Sequence, residues 1–367
     1  MVSVNHKIII GDFKYHYFYY RNSNIGILTH NLMEYFQSKK DKILNYLFVI
    51  LIVSLFSGIT GAFWDVTYHA VNKVDNFFQP AHLVIYSSLF LVFITGIIIT
   101  IMFPKKFLFA VIPASLLLAG YFDLLWHNNF GFDSFLSPPH VMLSFLPILY
   151  SLMIFKHFQK LASSTTTNAY LKIFGQTISL GVMWLTITFF LLMFSLASVK
   201  YSDTSFHIIP PPFVSLIISF IAMPILSLSI VYYGNVNNNI NPVYIAVVFA
   251  FSLTISTIIA NPNITFTFPY LLLGTILPAF LYNKNKFIGF ILFGGLWMFT
   301  YVPYSFKIIL YSLTGVIVEL KHTLFISSYY LLPYYPFIIA GGIYLALFLY
   351  YLTKKQTNLF SIKISNK

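Results

Sequence analysis

Cysteine is absent from all 367 positions. Disulfides, thiolate metal ligands and thiol catalysis are therefore excluded. Charge is scarce as well: Asp, Glu, Lys and Arg make up 8% of the chain, whereas a soluble domain needs roughly a quarter to cover its surface. Acidic groups are the rarest, nine against 21 basic residues, and of the basic residues all but Arg21 are lysine. In a soluble protein a net charge of +12 would suggest nucleic acid. Here many lysines close apolar runs, which reads as topology signal and lipid-headgroup contact, with no nucleic-acid partner.

What remains is apolar. Hydrophobic residues are 58% of the chain and aromatic residues 20%, with a mean hydropathy of +0.81. A chain so poor in charge needs a bilayer as solvent for most of its exterior. About 20 apolar residues span the hydrocarbon core as a helix. Candidate spans are 43–63, 80–103, 107–126, 138–156, 171–198, 213–234, 242–260, 266–282, 286–305 and 332–352. The expected fold is all-α, a polytopic transmembrane bundle of about ten spans with an internal two-helix repeat in spans 1–4.

The spans divide the chain into four parts. Residues 1–42 are polar and aromatic (KYHYFYY at Lys14–Tyr20), lack the apolar core of a signal peptide, and read as a retained cytoplasmic or interfacial segment. Residues 43–160 hold the duplicated region, 171–352 a six-helix region, and 353–367 a cytoplasmic tail. Segment 306–331, with Lys307, Glu319, Lys321 and His322, is amphipathic and suits the interface. Twelve lysines, from Lys39 to Lys355, flank one side, against Lys73, Lys200, Lys307 and Lys321 on the other. The positive-inside bias then places both termini in the cytoplasm and the loops after spans 1 and 3 outside.

Those two outward loops carry the chemistry. Phe63–His82 reads FWDVTYHAVNKVDNFFQPAH and Tyr121–His140 reads YFDLLWHNNFGFDSFLSPPH. Offset by 58 residues, they share Asp65/Asp123, His69/His127, Asp75/Asp133, Pro80/Pro138 and His82/His140. An ungapped match of D-x3-H-x5-D-x6-H on equivalent helix ends is a duplication. Asp and His at i and i+4 share one helical face. Each loop then returns to a Pro that opens the next helix and delivers the distal His to the mouth of the same hairpin. Two imidazoles and a carboxylate so arranged suit a metal ion. The middle Asp can add a ligand or hold an imidazole in its binding tautomer.

Of six acidic side chains between residues 43 and 352, four belong to these motifs, as do four of seven histidines. Ionisable groups in a membrane domain are costly and usually functional. Hydrogen-bonded Asp–His pairs at helix ends would explain one pair, but not the repetition of the distal His and the middle Asp. Asp203 and His207 repeat only the i,i+4 spacing and read as an interfacial pair or a decayed third copy. His157, beside Lys156, reads as an interfacial residue.

The pattern D-x3-H-x12-H followed by an apolar span, with F-x-P-A-H-x-x-x-Y-S at Phe78–Ser87, resembles the C subunit of the copper membrane monooxygenases, over roughly residues 43–156. The resemblance implies one copper site at Asp65, His69 and His82 and a neighbouring one at Asp123, His127 and His140. Asp123 stands where that family often has Asn, and the chain from about residue 171 has no counterpart in the short archaeal C subunits. A separate protein sharing the metal-binding hairpins fits this pattern better than an orthodox subunit.

Several functions follow as expectations. The first is a copper redox or oxygenase role at the extracytoplasmic face of the cell membrane. Iron also suits a two-His, one-carboxylate set, and zinc remains open. Copper acquisition or delivery, and a structural place among other membrane subunits, are the alternatives. Transport fits less well, because ligands at one membrane face are not the midplane site of a transporter. Haem ligation would leave the Asp at i−4 without a role.

Overall fold

The computed structural model describes residues 8–10, 13–15, 23–71, 78–130, 137–161, 166–196, 217, 222–260 and 272–293, with scattered positions between 336 and 351. The chain divides into two compact units, Met1–Leu47 and Phe48–Lys367. In the first, strands β1 (Ile8–Ile10) and β2 (Phe13–Tyr15) form a small antiparallel hairpin with Ile8 opposite Tyr15. Helix α1 (Ser23–Val71) begins there and ends in the second unit. Its start precedes the apolar run expected at residue 43 because hydropathy marks where lipid begins. The segment before it, which includes Leu28, Leu32, Met33, Glu34, Gln37 and three lysines, can form a helix without being apolar.

The second unit is helical. It contains α2 (Pro80–Met102), α3 (Leu108–Phe130), α4 (Pro138–Lys160), α5 (Thr166–Leu196), α6 (Met223–Asn238), α7 (Pro242–Ala260) and α8 (Leu277–Lys284). A wider turn, Leu272–Ile276, leads into α8. Among the described residues, five helical stretches are long and apolar enough to cross a bilayer: Lys39–Val66, Pro80–Met102, Pro104–Phe130, Pro138–Lys160 and Ala169–Leu191. They coincide in place with the first five expected spans. Helix α7 matches the seventh, although its apolar stretch, Pro242–Ser256, is shorter. Segment 306–331, Asp203, His207, Glu319 and His322 lie outside the described residues.

Prolines set the helix starts. Pro80 and Pro138 occupy first-turn positions, where a missing N–H costs nothing and the fixed φ suits the helix. Pro113, inside α3, deprives the Phe109 carbonyl of its usual i+4 donor. Tyr150 of α4 donates its hydroxyl to that carbonyl at 3.1 Å. Such a substitute donor is what makes a helix-interior proline tolerable in lipid.

Packing follows chain order, with α2 against α3, α3 against α4, and α4 against α5, while α5 also meets α6 and α7. Small residues permit the closest approaches. A Cβ on Gly96 of α2 would overlap the backbone carbonyl of Phe109 on α3, and one on Gly61 of α1 would sit 3.1 Å from the Ile85 and Val84 side chains of α2. Helix α1 is tied to α7 by Ser256, which donates to the Thr60 carbonyl at 2.8 Å, and by a 2.8 Å contact between the Thr60 and Ser252 hydroxyls. Trp184 of α5 stacks on Phe249 of α7 with ring centroids 4.3 Å apart. The most hydropathic stretch of α5 is 61% buried, that of α3 only 28%. Among the described residues α5 is therefore the more deeply packed helix and α3 the more exposed one.

Candidate metal centre

The end of α3 and the start of α4 bring Asp123, His127 and His140 together, with one ligand atom from each residue lying within 4.8 Å of the others. Asp123 and His127 are one turn apart on α3, with His127 Nε2 3.5 Å from Asp123 Oδ1. His140 arrives on the first turn of α4 and places its Nε2 3.1 Å from the same oxygen. Its position is fixed by Ser137, which is fully buried and accepts the His140 backbone N–H at 3.3 Å as the helix cap. The two imidazole rings stand 5.4 Å apart at 55°.

These separations fit a cation. Two ligands, each about 2.0–2.1 Å from one ion in tetrahedral geometry, are about 3.4 Å apart. The Asp–His distances bracket that value. Asp123 Oδ1 is also sealed from solvent, yet it accepts no hydrogen bond of good geometry among the described residues. The two imidazoles are the groups that meet it, and a buried carboxylate is expensive unless positive charge or good hydrogen bonds do so. The three side chains are 17–23% exposed, recessed but reachable.

The first hairpin repeats part of this arrangement. His82 Nε2 lies 3.1 Å from Asp65 Oδ1, the same separation as in the second pair. Gln79, at the position equivalent to Ser137, donates its side-chain amide to Asp65 at 3.3 Å. One carboxylate oxygen thus meets an imidazole and an amide in the first hairpin, and two imidazoles in the second. The His69 side chain, Asp75 and Asp133 lie outside the described residues.

A cavity of about 120 Å³ joins the two hairpins, with Asp65, His82, Asp123 and His140 all in its lining. Tyr86 of α2 and Phe189 and Met193 of α5 also line it, and apolar side chains such as Leu55, Ile59 and Leu116 complete the wall. Gly120 leaves room for the Tyr86 ring, since a Cβ there would lie 3.0 Å from it. Sequence reasoning passed over Gln79, Ser137, Phe189 and Met193. Ser137, directly before Pro138, was detectable as a candidate cap, whereas Gln79 makes no cap hydrogen bond. Phe189 and Met193 sit on an apolar helix with nothing local to mark them.

No protein family, curated protein or solved structure matches the chain.

Proposed function

We propose that this is a membrane metalloprotein whose Asp/His hairpins hold copper at the extracytoplasmic face, in a redox role related to that of copper membrane monooxygenase C subunits. The observation that carries the metal reading is the convergence of Asp123, His127 and His140 on one point, both imidazoles approaching the same buried carboxylate oxygen. Asp65 and His82 across the same cavity support a second site of like composition. Copper is chosen over iron and zinc on the likeness of D-x3-H-x12-H and F-x-P-A-H-x-x-x-Y-S to that family.

Two imidazoles and one carboxylate leave coordination positions open on a bound ion, so that it can exchange electrons or activate oxygen. The chain's own residues hold and orient the site. Asp123 offsets positive charge, Ser137 fixes the direction of His140, and the apolar cavity wall limits water.

A second reading, copper acquisition or delivery, has one observation in its favour. Met193, 2% exposed, lines the cavity that holds the Asp/His pairs, and a thioether is a soft donor suited to Cu(I).

The test is metal analysis of protein purified from membranes, wild type beside His127→Ala/His140→Ala. Copper in the wild type and its loss in the variant is the expected result. Zinc or iron at full occupancy would replace copper in the proposal, and a metal-free wild type that cannot be loaded would end it. Electrochemical reduction of the loaded protein then separates a redox role from storage.

A further inference from the structure

The opposite end of the same helices holds a second cluster, of two lysines and a histidine. Lys106 and Asp123 are 17 residues apart on one apolar stretch, as are His157 and His140 on α4, which is about 25 Å of helix. Lys106, in the turn Pro104–Lys106 between α2 and α3, places its Nζ 5.5 Å from the Phe48 ring centroid and 5.8 Å from that of Phe109. His157 lies flat on the same Phe48 ring, with centroids 3.6 Å apart and planes 9° apart. Lys160, three residues beyond His157 at the end of α4, lies on the same side of that helix, and its charge acts on Lys106.

Cationic side chains at helix ends are ordinarily a solvated topology signal. This set differs in three ways. Lys106 is only partly exposed and is seated over two aromatic rings, so its ammonium group is held in place. The basic residues come from two separate helix junctions and are brought together at one Phe48 ring. Within the second unit, the carboxylates among the described residues are Asp65 and Asp123, which lie at the far end. The positive N-terminal end of α3, which starts at Leu108, adds to the field.

The surroundings identify the anion. Ile101, Phe107 and Leu108, next to Lys106 in the chain, are 74%, 53% and 44% exposed. An apolar surface of this kind beside a fixed positive pocket suits a molecule with a phosphate at one end and acyl chains at the other. We propose that Lys106, Lys160 and the His157 imidazole form a binding site for the phosphodiester of an anionic phospholipid, whose chains lie along Ile101 and Leu108. The bound headgroup offsets the Lys106–Lys160 repulsion and clamps the α2–α3 turn to the end of α4. Basic pockets between membrane helices recognise anionic headgroups in this way.

The test uses the full-length protein in detergent, exchanged into phosphatidylcholine and titrated with phosphatidylglycerol, with bound lipid counted by native mass spectrometry. Wild type should retain one phosphatidylglycerol in preference to phosphatidylcholine. At about a factor of five per lysine, Lys106→Gln/Lys160→Gln should weaken retention roughly 20-fold. Lys284→Gln/Lys286→Gln, an equal charge change elsewhere, should leave it intact. Lys106→Arg should also retain it, which separates lost charge from failed folding. Equal loss in both double variants would make the effect general electrostatics, and no preference in wild type would remove the site. Complete displacement by inorganic phosphate at low concentration would assign the pocket to a free anion and overturn the lipid.

Discussion

His82 and His140 enter one cavity from the first turns of two successive hairpins, each with its Nε2 3.1 Å from the carboxylate of its own repeat. Two clusters that share one cavity influence each other electrostatically, because apolar walls screen charge poorly. Asp65→Asn should therefore weaken metal binding at Asp123, His127 and His140 as well as in its own hairpin. A chelator-competition titration of the second cluster in wild type and variant measures this. An unchanged second-cluster affinity would make the two sites independent.

Asp123 is the one residue of its cluster that both imidazoles approach. Asp123→Asn keeps the shape and removes the charge. Loss of a supporting residue beyond the ligands already costs about 10–100-fold in metal affinity, so loss of this ligand should cost at least about 100-fold while the purified protein keeps its helical content. Equilibrium dialysis with circular dichroism on the same sample reads both.

Ser137 fixes His140 through the helix cap. Ser137→Ala should cost about 1 kcal/mol of stability and lower metal affinity by loosening the direction of His140, whereas Ser137→Asp should restore both. A lower melting temperature with unchanged metal affinity would separate the cap from the site.

Protons and metal compete for the same lone pairs, since ligating imidazoles must be neutral and the carboxylate ionised. Occupancy should therefore fall as pH falls and recover on return to neutrality. Metal retained after dialysis at successive pH values between about 8 and 5 covers the range in which histidine ordinarily changes charge. A flat profile would argue against imidazole ligation.

Gly96 allows α2 and α3 to touch at the Phe109 carbonyl that Tyr150 also binds. Gly96→Ala must push the helices apart and should destabilise by about 1–3 kcal/mol. Tyr150→Phe should cost about 1–3 kcal/mol through the carbonyl left unsatisfied beside Pro113. Thermal unfolding of the detergent-solubilised protein compares the two.

The amino-acid sequence by itself determined the apolar character of this protein's exterior, the places of α2, α4 and α7, and the Asp and His residues at each hairpin. Each of these is a local property. Charge scarcity follows from composition, a helix start from one proline, and the meeting of Asp123 with His127 from a rise of about 1.5 Å per residue. The N-terminal extent of α1 was not legible, because a polar helix and a polar loop have similar hydropathy. The tertiary structure alone decided that Asp65 and Asp123 line one cavity, that Phe189 and Met193 wall it, and that Lys106 and His157 share Phe48. Those relations depend on how closely neighbouring helices approach. Contacts such as Gly96 against Phe109 and Ser256 against Thr60 set that approach, and the two partners of such a contact can lie nearly two hundred residues apart, beyond the reach of any periodicity along the chain.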